Sequence, residues 1–280
     1  MIGPMILPDR PQRHDDVALH YDELDPVYRA LWGAHVHHGF WRTGRESVAE
    51  ATAALSLLVA ERLALSGPAS VVDIGCGYGE TARLFAARFG WAVTGFTLSA
   101  AQAGAAPAAD GVEIRVRDWL DNDLVDASRD GAYAIESSEH MEDKPRFFAE
   151  AARVLKPGGR LAICAWLEGP RATAWQKRHL LEPICREGRL PSMGSRADYL
   201  GWAQVAGLRH LCDEDISAQV ARTWTICAGR FARALATDRA TRAIVRRAAN
   251  RDFALSLPRL MLAYRSGAMR YGLFLFERSA

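Results

Sequence analysis

One segment constrains this chain more than any other: Val71-Val72-Asp73-Ile74-Gly75-Cys76-Gly77-Tyr78-Gly79. An apolar run at 70–74 enters alternating glycines, and helical spacing resumes from Glu80, so the segment reads as a strand, a tight loop and a helix. In a parallel sheet such a loop sits outside the carboxyl end of its strand. There glycine admits close approach of a ligand to the backbone, and the helix N-terminus offers N–H groups. The loop therefore predicts a cleft for a nucleotide-like group. The dinucleotide fingerprint would need glycine where Glu80 stands and an acid after the second strand, where Gly95-Phe96-Thr97 is found, so nicotinamide and flavin are disfavoured.

Downstream, apolar runs at 92–96, 112–116, 132–136 and 160–166 alternate with helical stretches, the last run following a turn at Lys156-Pro157-Gly158-Gly159. Two further strands are expected near 208–211 and 269–276. The pattern predicts an α/β fold with a doubly wound, mostly parallel seven-stranded sheet. Helical stretches at about 167–206 and 218–262 are expected to form a cap over the strand ends. Residues 16–280 read as a single domain, and 1–15 as a flexible arm.

A net charge of +2, from 35 basic and 33 acidic side chains, gives no overall footing for nucleic acid or an anionic membrane. An Asn-Pro-Pro-Tyr base-flipping motif is missing too. The five cysteines are odd in number and never spaced as a CxxC pair, which argues against a disulfide framework and a zinc site and suits reduced thiols in the cytoplasm. The apolar start is too short for a signal-peptide core, and no apolar run approaches the ~18 residues of a membrane span.

The Asp-x-Gly-x-Gly-x-Gly loop, Asp118-Trp119 after the third strand and Lys156-Pro157-Gly158-Gly159 together resemble the class I methyltransferases. Further segments resemble the tocopherol O-methyltransferase group, which is itself similar to sterol, cyclopropane-fatty-acid and bacterial natural-product methyltransferases. These are Tyr21-Asp22, Trp32-Gly33-Ala34-His35-Val36-His37-His38-Gly39-Phe40, Gly95-Phe96-Thr97-Leu98-Ser99 with Gln102, Glu136-Ser137-Ser138-Glu139-His140-Met141, Leu190-Pro191-Ser192 and Ala197-Asp198-Tyr199. The resemblance implies S-adenosyl-L-methionine as cofactor and S-adenosyl-L-homocysteine as product. A carboxylate such as Asp73 beside the glycines suits a cationic sulfonium better than a pyrophosphate. By the same resemblance Gly75, Gly77 and Gly79 pack against the methionine and ribose parts. Thr97, Leu98 and Gln102 stand near the ribose, where most class I enzymes place an acid, a departure typical of this group. Asp118 would meet the adenine amino group with Trp119 as a stacking surface, while Tyr21, His37 and Gly39 become cofactor contacts and His38 a substrate-side residue.

Methyl transfer is an in-line displacement at an activated carbon, so alignment and exclusion of water matter most. A hydroxyl, amine or phenol-ring acceptor must also lose a proton, and His140 at the end of the fourth strand is the best-suited base. Glu136 and Glu139 flank it. Either could fix the imidazole or offset charge on the substrate, or both could merely orient backbone and cofactor. His35, His37 and His38 lack nearby acidic or thiol partners, so no metal is expected. The aromatics Tyr28, Phe40, Trp41, Trp166, Trp175, Trp202 and Trp224 fall in loop and cap segments, suited to an apolar acceptor, with two or three expected at the pocket. Arg239, Arg242, Arg246, Arg247 and Arg251 gather on one helix face, either solvated or clamping a phosphorylated substrate. The resulting expectation is methyl transfer to carbon or oxygen of an apolar small molecule, phenolic, quinone or isoprenoid in type, in a biosynthetic pathway. The alternatives are N-methylation of a small amine and a non-catalytic cofactor-binding protein.

Overall fold

A computed structural model describes residues 5–12, 35–239, 242–243 and 253–279. Strands β1 (Ser70–Ile74), β2 (Ala92–Thr97), β3 (Val112–Val116), β4 (Arg129–Ile135), β5 (Leu155–Glu168), β6 (Leu208–Asp215) and β7 (Met269–Arg278) form one sheet in the order β3-β2-β1-β4-β5-β7-β6. The first five are parallel, and β7 inserts antiparallel between β5 and β6. The order reverses between β1 and β4, so their carboxyl ends flank the switch point where a doubly wound sheet binds ligands.

The Lys156-Pro157-Gly158-Gly159 segment is expected as a turn before its strand, yet β5 already begins at Leu155. The pairing register jumps between Arg129 and Gly131, whose partners are Leu155 and Arg160. Gly158, at φ +77°, lets the intervening residues bulge out while both flanks keep their pairing.

Helices α1 (Val48–Leu63), α2 (Glu80–Phe89), α3 (Ala100–Ala105), α4 (Lys144–Val154), α5 (Glu182–Glu187), α6 (Arg196–Val205), α7 (Arg222–Thr237) and α8 (Phe253–Ser266) complete the described architecture with a few shorter turns. Several starts are written locally: Ser47 and Glu50 cap α1 reciprocally, and Asp143 accepts from the Arg146 N–H at α4. The sheet has a core on each face. One joins Leu55, Val59, Phe85 and Tyr133 to Leu181, Trp224, Tyr264 and Tyr271. The other joins Phe147, Phe148, Tyr199, Trp202, Phe274 and Phe276. Because Tyr199 and Trp202 share one face of α6 and pack on Phe148, with Tyr199 stacked on Phe274 at 5.2 Å, this helix lies in the helical layer on that face of the sheet, beside α4. It is not part of a lid over the strand ends, whereas Trp224 of α7 and Tyr264 of α8 do reach the end of β4 through His38. Within the expected flexible arm, 5–12 is tied down: Ile6 and Met193 exchange backbone hydrogen bonds of 3.1 and 2.9 Å, and Ile6 is buried.

Candidate active site

The glycine loop is anchored from both sides. Gly75 and Cys76 both donate to the Phe96 carbonyl of β2, at 2.9 and 2.8 Å, and the Ser137 hydroxyl donates to the Ile74 carbonyl. A Cβ at Gly75, whose φ is +81°, would stand 2.3 Å from Ser137 Cβ, and one at Gly79 would stand 2.6 Å from Ile114 Cδ1. Those two glycines are required by close packing as well as by conformation. Gly77, at φ +54°, has the Gln102 amide no nearer than 4.0 Å and answers to the turn alone.

The loop borders an elongated cleft. One half is lined by Gly75, Gly77, Thr97, Leu98, Gln102, Asp118, Trp119, Glu136 and His140. The other is lined by His35, His37, Asp73, Tyr78 and Glu80, and Val36, Gly75, Gly77 and Ile135 border both. Thr97 donates its hydroxyl to Gln102 Oε1 at 3.2 Å, which ties the end of β2 to α3. Asp118 accepts from the Leu120 N–H at 2.8 Å. The Trp119 indole is buried and donates to the Phe147 carbonyl at 3.3 Å, so its ring is held by the core. Asp73 is buried under the loop, accepts from the Tyr133 hydroxyl at 2.8 Å, and is pushed by burial up to about 7.

Gly39 is placed differently. Its N–H donates to Thr223 Oγ1 at 3.0 Å, and a Cβ there would meet Ala51 Cβ at 2.7 Å, so it serves the approach of this loop to α1 and stands outside both halves of the cleft. Tyr21 and Tyr28 lie outside the described residues, as do Arg246, Arg247 and Arg251 of the arginine face. Arg242 spends Nη1 on the Leu235 and Ala236 carbonyls.

His140 sits in a single helical turn, Ser138–His140, beyond β4. Its Nδ1 lies 3.3 Å from the Arg189 carbonyl, which can only accept, so the ring proton is on Nδ1 and the lone pair on Nε2. Burial lowers its pKa to about 4 against the opposing pull of that hydrogen bond, which keeps the ring neutral near pH 7. Glu139 turns away from the cleft: Oε1 accepts from the Trp166 N–H at 2.6 Å and Oε2 from the Ser138 hydroxyl at 3.1 Å. Burial pushes its carboxyl up to about 7. The buried Lys144 ammonium donates to the Glu139 and Met141 carbonyls, both at 3.1 Å, and so staples the turn that carries His140.

Glu136 takes φ +56°, unusual for a side chain with a Cβ. Its carboxylate accepts from the His38 N–H at 2.7 Å, His38 Nδ1 at 2.8 Å, the Tyr271 hydroxyl at 2.7 Å and the Trp166 indole at 3.3 Å. Burial alone would raise its pKa, but adjacent His38 and these bonds hold it below the ordinary value. The His38 ring is surrounded by Trp166, Trp224, Tyr264 and Tyr271, with centroids 4.8 to 5.9 Å away, and Nε2 lies 3.4 Å from the Tyr264 hydroxyl. The structure thus assembles a buried imidazole–carboxylate pair inside an aromatic box. Tyr264 and Tyr271 escaped the sequence reading because each stands in an apolar run with no distinguishing spacing.

The three histidines diverge. His35 Nδ1 meets His37 Nε2 at 3.1 Å, His37 Nδ1 meets the His38 carbonyl at 2.8 Å, and His38 faces Glu136. Burial lowers His35 to about 3. Among the described residues no group of three or more His, Cys, Asp or Glu side chains is arranged to hold a metal. Of the aromatics singled out, Trp166 and Trp224 reach the box around His38, Trp202 belongs to the core under α6, and Trp175 is 60% exposed. No helix among the described residues is long and apolar enough to cross a membrane.

Residues 72–163 match the methyltransferase domain family. A probable tocopherol O-methyltransferase of Oryza sativa subsp. japonica is 34% identical over 76% of this chain, which spans 65% of that protein's length. The 27-O-demethylrifamycin SV methyltransferase of Amycolatopsis mediterranei (strain S699) is 32% identical over 78% of this chain and 82% of its own. Among solved structures, a cyclopropane synthase from Mycobacterium tuberculosis superposes with a TM-score of 0.81 at 20% identity, over 96% of this chain and all of that one.

Proposed function

Since the chain belongs to the class I S-adenosylmethionine-dependent methyltransferase family, we propose that it transfers a methyl group from S-adenosyl-L-methionine to carbon or oxygen of an apolar small molecule, phenolic, quinone or isoprenoid in type. Residues 16–280 act in this reading as one domain, in a biosynthetic pathway. Five free thiols are in keeping with a cytoplasmic location, although the rice relative is described as chloroplastic.

The residues present fit the cofactor. The glycine loop leaves room for a ligand against its backbone, the half of the cleft carrying Thr97, Gln102 and Asp118 suits a nucleoside, and the half carrying His35, His37 and Asp73 suits the polar amino-acid end. When bound, the cofactor supplies an electrophilic methyl group. The chain must align the acceptor, exclude water and accept a proton. The observation that carries the reading is His140, neutral near pH 7, which shares one cleft with Gly75 and Gly77. The His38–Glu136 pair is the second proton-handling group, with the carboxylate orienting the imidazole. Glu139 has an architectural role in this scheme, holding the end of β4 to β5.

The test is incubation with methyl-labelled cofactor and a panel of phenols, quinols, prenyl alcohols and small amines, with products read by mass spectrometry. Label on carbon or oxygen of an apolar acceptor is expected. Label confined to amines would overturn the acceptor class, and S-adenosylhomocysteine binding without any turnover would overturn catalysis itself.

A further inference from the structure

The group that fixes the proton of His140 is the carbonyl of Arg189, and Arg189 is itself unusual. It is one of few residues other than glycine at positive φ, +56°. It follows the end of α5, where Gly188 donates to the Ile184 carbonyl and Leu190 to the Cys185 carbonyl, both at 2.8 Å. Buried Leu190 and Met193 anchor the chain just beyond. A left-handed arginine is costly, and such a conformation persists only where the surroundings over-determine it.

Those surroundings include the segment 5–12. Arg189 Nη1 donates to Gln12 Oε1 at 2.9 Å, and buried Gln12 is oriented by its own Nε2, which donates to the Arg10 carbonyl at 3.0 Å. The same segment pairs Ile6 with Met193 and brings Asp9 to 3.4 Å from Arg186. Three points along one strap therefore hold the loop from Arg186 to Met193 against the end of β4.

We propose that Arg189, left-handed at the end of α5 and tied through its side chain to Gln12 of this strap, is a positioning residue for the methyl-transfer reaction: its carbonyl keeps the His140 proton on Nδ1 and so leaves Nε2 as the basic nitrogen of a ring that lines the cofactor cleft. The guanidinium reaches the strap through Nη1, while its Nε is buried with no hydrogen-bond partner among the described residues. The proposal rests on the reading of His140 as the base, and the readouts below separate the two.

The tautomer of His140 is read by nitrogen-15 NMR, alongside the pH profile of kcat and the KM for cofactor. Arg189→Val, with a β-branched side chain hostile to positive φ, is expected to lower the Nδ1–H population of His140. It should cut kcat about 10- to 100-fold, the order a displaced catalytic group costs, with KM for cofactor within about threefold. Arg189→Gly, which admits the same φ, should recover part of that loss. Gln12→Leu removes the acceptor that ties the Arg189 side chain to the strap and, by loosening the loop that presents its carbonyl, should shift the tautomer in the same direction as Arg189→Val. A shifted tautomer with unchanged kcat would uphold the positioning role and sink the base assignment. A wild-type tautomer in both Arg189→Val and Gln12→Leu would overturn the proposal.

Discussion

His38 Nδ1 lies 2.8 Å from Glu136 Oε2, joining residues 98 positions apart in the chain, and the same carboxylate also receives the His38 backbone N–H. This double attachment fixes the loop before α1 to the end of β4, and most of the candidate site is organised around it. Removing one member of a buried pair leaves the other without compensation, at about 3–5 kcal/mol. Glu136→Ala is accordingly expected to lose that much stability in urea unfolding. Glu136→Gly should lose about 1 kcal/mol less, because glycine accepts φ +56° without strain. Equal losses would show that the backbone carries no strain there.

His140→Gln keeps a side chain of similar reach but lacks a basic nitrogen. Turnover should fall by ~10²- to 10⁴-fold while affinity for S-adenosylhomocysteine, measured by calorimetry, changes little. Undiminished turnover would move the base to His38.

Gly75→Ala and Gly77→Ala place the same methyl group in two different surroundings. At Gly75 it would collide with Ser137 Cβ, whereas at Gly77 nothing lies nearer than 4.0 Å. The first substitution should abolish detectable cofactor binding. The second should cost only the left-handed strain, about 1 kcal/mol of stability, and no more than about tenfold in affinity. Similar affinities for the two variants would contradict the contact at Ser137.

Among the groups that make stability depend on pH, His140 and Glu139 act with opposite sign. His140 titrates near 4 when folded and near 6.5 when unfolded, so between those values the unfolded chain binds the extra proton and stability falls as pH falls. Glu139 titrates near 7 folded and near 4.5 unfolded, so the native state binds the extra proton between those values and stability rises as pH falls. Urea titrations at pH 7.5 and 5 should therefore show a smaller acid loss in His140→Gln than in the parent, and a larger one in Glu139→Gln. Any other ranking would refute the environments assigned to these groups.

The parallel half of the sheet was legible because each strand is a short apolar run bounded by turn residues, as at Ser70–Ile74 before the glycine loop and Val112–Val116 before Asp118. The exact role of Lys156-Pro157-Gly158-Gly159 was not, since a turn signal and a bulge use the same residues. Helix α6 was misplaced for a related reason: its apolar face shows that it packs, not against which layer. In the site, Gly75 and Gly77 were legible from local spacing, whereas Thr97, Gln102 and Asp118 were singled out only through the resemblance to a known family; all five line one cavity. Gly39 had the composition of a cofactor loop, but its requirement comes from Ala51, a contact across the fold. Tyr271, Tyr264 and Arg189 could not be singled out, because their significance lies in partners that only tertiary folding supplies.

The insertion of β7 between β5 and β6 bears on the order in which the molecule can be made. Tyr271, which completes the hydrogen bonding of Glu136, belongs to β7, which is synthesised after the other six strands of the sheet, and β6 has no partner in the sheet until that strand arrives. A nascent chain can assemble the parallel strands and the glycine loop early, but Glu136 then lacks one of its donors and β5 presents a bare edge. Premature termination ahead of Met269 would thus yield a chain whose cofactor motif is intact in sequence while its chemistry is unfinished.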